Sequence, residues 1–406
     1  MRLFKIGSKN MFKEYFPLLK NTETIYLDTA ASAQKPDVVL KAMDDFYRSS
    51  YANVHRGQCA IATNATMRYE KARETVAAFI GANSGEIIFT KGATEGINLV
   101  ASGFEQILKP DDEILVSIAE HHANFVPWQQ LARRTDAIFK TFGVLSDGRL
   151  DLNDFEQKIT PRTKIVAVTQ LSNVLGIINP VRQIIEVAHA KGIPVLVDGA
   201  QGVAHLPLSV AELGCDFYAF SGHKIYGPTG IGVLYGRREA LEKLPPYQFG
   251  GDMIKTVTIE KTEFADIPAR FEAGTPPLVE AVGLAAAIDF VSQIGMDTIF
   301  GHELSLTRYL LERLKEFKDI SIMGDFSEKQ GLVSFNIGNI HPADIAFVLA
   351  KDNICTRVGH HCAMPIHTAF GRQASLRASL GIYNDREDIG RFIGALHKAL
   401  YLLGEE

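Results

Sequence analysis

The stretches IPVLVDGAQG at 193–202 and DFYAFSGHKIYGPTGIGVLYG at 216–236 decide the fold. Each starts as an apolar run of strand length and breaks at its end into glycine and polar residues. Asp198 closes the first run, and Lys224 follows the end of its counterpart. Working outward, similar runs recur as EIIFT at 86–90, EILVS at 113–117 and KIVAVTQ at 164–170. Between several of them lie helically spaced stretches, at 94–108, 123–134 and 181–191. The alternation predicts βαβ units around a mostly buried, largely parallel sheet. Ligands of such sheets bind outside the carboxyl ends of the strands, so the polar residues after each run are the candidate site.

After about residue 275 the texture changes to two helical patterns, at 277–293 and 301–317, a strand-like GLVSFNIG at 331–338 and an amphipathic helix from about 385. This predicts a large α/β domain over 26–274 and a smaller α+β domain from 275–406, against which residues 1–25 pack. The 406 residues are 46% hydrophobic and 22% charged, with a net charge of −5. That is ordinary for a globular protein, and no basic block speaks for nucleic acid. No apolar run reaches membrane length and no leader pattern is visible, so the expected compartment is the cytoplasm. The four cysteines, Cys59, Cys215, Cys355 and Cys362, make neither a disulfide framework nor a CxxC pair.

A lysine beside a carboxylate reads equally well as a buried ion pair. The surroundings of Lys224 favour another reading. SGHK places Ser221 and His223 within reach of an anion, and the glycines that follow permit close backbone approach. An amine, a carboxylate and a phosphate cradle are what pyridoxal 5′-phosphate requires: a Schiff-base partner in Lys224, a counter-ion for its ring nitrogen in Asp198, and an anchor. KGATEGINLV at 91–100 adds a glycine turn that opens a helix at Ala93 and Thr94, where free N–H groups and the helix dipole attract phosphate. Taken alone, Thr94 would read as an N-cap.

RVGHHCAMP at 357–365 has no periodicity and reads as a loop. It sets Cys362 behind two histidines and near Arg357, and cationic neighbours raise the thiolate fraction of a cysteine. A metal site made of His360, His361 and Cys362 is the poorer reading, since adjacent residues rarely all reach one ion. Cys215 and Cys355 read as small packing residues.

These segments resemble the aminotransferase class V group of fold-type I pyridoxal phosphate enzymes. Together with YLDTAASAQKP at 26–36, YANVHRG at 51–57, EHHANFVPW at 120–128, SNVLG at 172–176, FEAGTPP at 271–277 and RASLGIYN at 377–384, they resemble the group II, SufS-type cysteine desulfurases, also active as selenocysteine lyases. The resemblance implies that His121 stacks on the cofactor ring and exchanges protons, while His122 is structural. It implies that Asn173 and Gln201 complete the cofactor shell, and that Arg377, with Arg357, meets the substrate. His55, Arg56 and Thr275 are expected from the other subunit of a homodimer, with Thr275 on the phosphate. The implied reaction takes L-cysteine, possibly also L-selenocysteine, to alanine, leaves sulfur on Cys362 and passes it to an acceptor protein of SufE or SufU type for iron–sulfur cluster assembly. Another class V reaction, such as β-lysis or transamination, and a cofactor-free docking scaffold are the alternatives. Cys59, the run IHTAFGRQA at 366–374, and Ala93 in place of a common threonine depart from the family pattern.

Overall fold

The apolar runs divide their side chains between two faces of one sheet. In the computed structural model, which describes residues 12–324 and 328–404, Val195 and Val197 join Val166, Val168 and Phe220 in one core. Leu196 joins Ile165, Ala167 and Ala219 in another. This is the two-residue period of strands covered on both sides. The seven strands are β1 Ile87–Thr90, β2 Glu113–Ser117, β3 Ile138–Phe142, β4 Thr163–Thr169, β5 Val195–Asp198, β6 Phe217–Ser221 and β7 Gly232–Gly236. Their order is β1-β7-β6-β5-β4-β2-β3. Only β7 opposes its neighbours; the other pairings are parallel. The sequence reading has no strand at β3, because this edge strand is mostly exposed or half-buried and so lacks an apolar run.

The helices that matter for the site are α1 Asp37–Ser49, α2 Ala60–Ile80, α3 Ala93–Glu105, α4 Val126–Thr135 and α5 Val181–His189, then α6 Leu278–Ile294 and α7 Met296–Leu314. Among the described residues no single helix is long and apolar enough to cross a membrane. Helix α6 packs on α1 and α2, and its Leu278, Leu284 and Ile288 belong to the core of the large sheet.

A second, antiparallel sheet holds β8 Ile320–Ile322, β9 Leu332–Ile337, β10 Arg357–Gly359 and β11 Ser375–Ser379 in the order β8-β9-β11-β10. Its core takes in Leu310 of α7, Leu349 of α8 (Pro342–Lys351) and Phe392 of α10 (Arg386–Leu403). Here the structure corrects the sequence reading of RVGHHCAMP. Arg357–Gly359 is strand β10, and Met364 opens α9 (Met364–Ala369), so only 360–363 is irregular. A three-residue strand against a six-residue helix is too short to leave a period in the sequence.

Of the N-terminal segment expected on the small domain, residues 1–11 lie outside the described residues. Ile25 and Tyr26 pair in parallel with Ile354 and Cys355, on the small-domain side. Phe16 packs among Tyr226, Phe290 and Tyr383, in the seam between the two sheets.

Candidate active site

The carboxyl ends of β4, β5 and β6 open onto a cavity of about 210 Å³ walled on its far side by the small domain. Asp198, the last residue of β5, is buried there and accepts the Ala200 N–H at 2.9 Å. Burial pushes its carboxyl up, against the pull of Lys224. Lys224 sits in the short turn after β6. Its surroundings push the amine down to about 8, chiefly by desolvation and further by Arg377 and Arg357, against the opposing pull of Asp198 and Cys362. An amine of that kind gives up its proton more readily than an ordinary lysine.

The anion end of the cavity is built where β1, β6 and β7 meet. Ser221 Oγ accepts the Ala93 N–H at 2.8 Å and so bolts the start of α3 to the end of β6. The approach depends on a residue without a side chain: a Cβ on Gly232 would fall 2.4 Å from the Gly92 Cα and 2.6 Å from the Phe220 carbonyl. Thr94 and His223 also line the cavity. Burial, Lys224 and Lys35 push His223 down to about 4.

His121 lies on the cavity wall. Its Nδ1 accepts the Ala123 N–H at 3.0 Å, which leaves the ring hydrogen on Nε2. Burial, then Lys224, pushes it down to about 3, so the ring is neutral at physiological pH. The turn carrying it is anchored by Glu120, a residue the sequence reading did not single out. This buried carboxyl accepts Asn124 Nδ2 at 2.6 Å, the Thr169 N–H at 2.8 Å and the Ser117 hydroxyl. Burial pushes Glu120 up to about 8.

Arg377, in β11, is buried at 1% exposure. Its Nη2 meets Asp28 Oδ1 at 3.1 Å and its Nη1 donates to the Asn173 carbonyl at 2.9 Å, while Nε has no partner. Desolvation lowers it to about 10, so it stays a cation. Asn173 Nδ2 donates to the His361 carbonyl at 2.7 Å. Through that bond the strand-end loop of the large sheet holds the cysteine turn.

Cys362 and His361 both adopt left-handed backbone, at φ 55 and 50. That conformation costs about 1–2 kcal/mol for a residue with a Cβ and persists only where surroundings fix it. Four hydrogen bonds fix it here. The Cys362 carbonyl accepts the His122 N–H at 2.6 Å, its N–H donates to His360 Nδ1 at 3.2 Å, His122 Nε2 accepts the Met364 N–H at 3.1 Å, and the Asn173 bond completes the set. The half-buried Cys362 Sγ lies 3.8 Å from Arg357 Nη2.

The fold thus gathers Ala93, Thr94, His121, Asn173, Asp198, Ser221, His223, Lys224, Arg357 and Arg377 on one cavity, with Cys362 at its edge. Gln201 is not on the wall; its Nε2 donates to the Ala30 carbonyl at 2.8 Å, and its buried Oε1 is unpartnered. His55 and Arg56 line a separate cavity with Gly274 and Pro276, the neighbours of the exposed Thr275. His55 pairs there with Glu70 at 2.9 Å and Arg56 with Asp252 at 3.3 Å. Among the described residues no group of three or more His, Cys, Asp or Glu is gathered to hold a metal ion.

The donor set fits pyridoxal phosphate. A buried carboxylate without a hydrogen-bonded cation suits a protonated ring nitrogen, the amine suits a covalent tether, and the hydroxyls at the start of α3 suit a phosphate. Residues 25–392 match the aminotransferase class-V family. A probable cysteine desulfurase of Halalkalibacterium halodurans is 47% identical over 398 residues, spanning 97% of this chain and 98% of its own length. The crystal structure of the Escherichia coli cysteine desulfurase CsdA superposes with a TM-score of 0.90 at 39% identity, over 96% of this chain and 98% of that one. A C-DES variant with glycine covalently linked to its PLP cofactor superposes at 0.83 and 25% identity, over 95% and 98%. With cavity, donor set and full-length similarity in agreement, the chain belongs to the aminotransferase class-V family of pyridoxal phosphate enzymes, and within it to the cysteine desulfurases.

Proposed function

We propose that this cysteine desulfurase moves the sulfur of L-cysteine onto Cys362 as a persulfide and releases L-alanine. The observation that carries this reading is a half-buried cysteine held in left-handed backbone 3.8 Å from a guanidinium, beside the Lys224–Asp198 cavity. A packing cysteine would need neither the strain nor the cation.

Lys224 would tether the cofactor, Asp198 would hold its ring nitrogen, and Ser221, His223, Thr94 and the amide end of α3 would hold its phosphate. When bound, the cofactor withdraws electrons from the substrate Cα, which makes its proton acidic and its Cβ–S bond breakable. Arg377 receives the substrate carboxylate, for which Nε is the free donor of a guanidinium already oriented by Asp28 and Asn173. Lys224 Nζ, with its lowered proton affinity, takes the Cα proton. Lys224, protonated by that step, returns the proton to the substrate carbon chain, while the neutral His121 offers its Nε2–H as a hydrogen-bond donor on the cavity wall. Arg357 Nη2 stands 3.8 Å from Cys362 Sγ, the nucleophile, which acts as its thiolate. That thiolate attacks the substrate sulfur. The S–S bond forms as C–S breaks, and the carbon takes a proton.

The persulfide sulfur then passes to a thiol on an acceptor protein of SufE or SufU type for iron–sulfur cluster assembly, in the cytoplasm. L-Selenocysteine is a second substrate of the same site. The remoteness of His55, Arg56 and Thr275 from their own chain's cavity supports a homodimer in which they complete the partner's site. Incubation with L-cysteine without reductant, followed by mass spectrometry, tests the central reading. One added sulfur on the Cys362 peptide and stoichiometric alanine are expected. Undiminished sulfide release by Cys362→Ala would overturn it.

A further inference from the structure

The wall of the cavity carries one group that the mechanism leaves unused. His361 is buried at 3% exposure, lines the cavity, and its Nδ1 has no hydrogen-bond partner. A buried polar atom left without a partner is rare and calls for an explanation. The state of that nitrogen follows from its neighbours. His367 Nδ1 lies 3.0 Å from the Ala363 carbonyl, which can only accept, so His367 carries its hydrogen there. Its Nε2, 3.1 Å from Ser375 Oγ, is then the acceptor of the serine hydrogen. Ser375 has no second hydrogen, so across the 3.0 Å contact His361 Nε2 donates to it. The chain of bonds leaves His361 Nδ1 bare. A charged ring is opposed by burial and by Arg377, which push His361 down to about 2, and burial likewise lowers His367.

Beside the carboxylate of Asp198, which faces the Lys224 end, His361 Nδ1 is an acceptor on a wall that also carries the donors Lys224, Arg357 and Arg377. Those donors match anionic groups. Of the groups a free cysteine brings, only the ammonium and the thiol are donors. The ammonium belongs at the Lys224–Asp198 end. His361 immediately precedes the nucleophile, and its carbonyl is held by the same Asn173 whose carbonyl orients Arg377.

We propose that His361 Nδ1 accepts the S–H of the bound substrate, so that His361 recognises a γ-thiol and holds its sulfur for Cys362, the relay through Ser375 to His367 setting the tautomer. The inference rests on the cysteine desulfurase reading. It also separates substrate from product, since alanine has no hydrogen to offer and loses the contact when sulfur leaves.

The test uses holoenzyme carrying Cys362→Ala, so that bound cysteine keeps its sulfur, and calorimetric titration with L-cysteine and with L-alanine. In that background His361→Leu lowers cysteine affinity about fivefold, the equivalent of one ordinary hydrogen bond, and leaves alanine affinity unchanged. His361→Asn, whose Oδ1 stands near the place of Nδ1, retains most of the preference. Should the leucine variant not fold, Ser375→Ala replaces it; freed of its relay the ring loses its fixed tautomer, and the preference for cysteine over alanine falls. Equal losses for both amino acids, or an unchanged preference in every variant, would overturn the proposal. Failure of the underlying reading shows separately, as unmodified protein that makes no alanine from cysteine.

Discussion

Two side chains in the cavity, Lys224 and Arg377, carry separable consequences. Lys224 must be unprotonated to attack the cofactor's aldehyde, and its amine is pushed down to about 8. The rate at which apo-protein takes up pyridoxal phosphate therefore rises with pH about a midpoint near 8, well below that of an ordinary lysine; stopped-flow absorbance reads this. Lys224→Ala lowers turnover by about 10³-fold or more while far-ultraviolet circular dichroism stays unchanged. Arg377→Lys keeps the charge but loses the planar fork, so KM for cysteine rises by about ten- to a hundredfold, which initial-rate kinetics measure. Lys224 is legible in the sequence because it follows a strand-like run and sits among distinctive neighbours, and Arg377 because RASLGIYN at 377–384 carries the family resemblance. Glu120 and His361 are not. Their meaning lies in who meets them across the fold, Thr169 and Ser375, and nothing near them in the chain announces that.

At the scale of elements, six of the seven central strands were readable as apolar runs, and β3 was lost because an edge strand need not be apolar. The cysteine segment reads as a loop in the sequence for the complementary reason. Strand β10 owes its form to pairing with β11, a tertiary cause with no local period. The β6–β7 junction is tighter than its sequence advertises. Gly232→Ala forces a Cβ into the backbone of Gly92, so α3 shifts away from Ser221. Weaker cofactor retention, by about tenfold or more on the scale of a 1.4 kcal/mol perturbation, is expected in equilibrium dialysis, with secondary structure intact.

Over the whole molecule, the seam between the sheets holds a second set of buried polar groups. His205, beside the large sheet, meets Glu303 of α7 at 2.6 Å, both fully buried. Glu303→Ala leaves His205 Nδ1 without its hydrogen-bond partner at a cost of about 1–3 kcal/mol, which a lower Tm reports. The acid response follows from the cavity histidines. His121 and His361 are pushed from an ordinary 6.5 down to about 3 and about 2. Between those values and 6.5 the unfolded chain binds protons that the native one refuses, so stability falls as pH drops below 6.5. Tm measured from pH 7 to 4 declines, and less steeply in His121→Gln.

The pairing of Asp28 with Arg377 joins residues 349 apart in the chain. Ala30 and Ala31 near the start of the chain, and Arg357, His361 and Arg377 near its finish, are walls of one cavity. During synthesis the seven-stranded sheet emerges long before its last wall does. The groups set to hold the cofactor, Asp198, Ser221, His223 and Lys224, thus precede the cations that receive the substrate, and a chain halted short of β11 carries a sheet whose rim lacks Arg377.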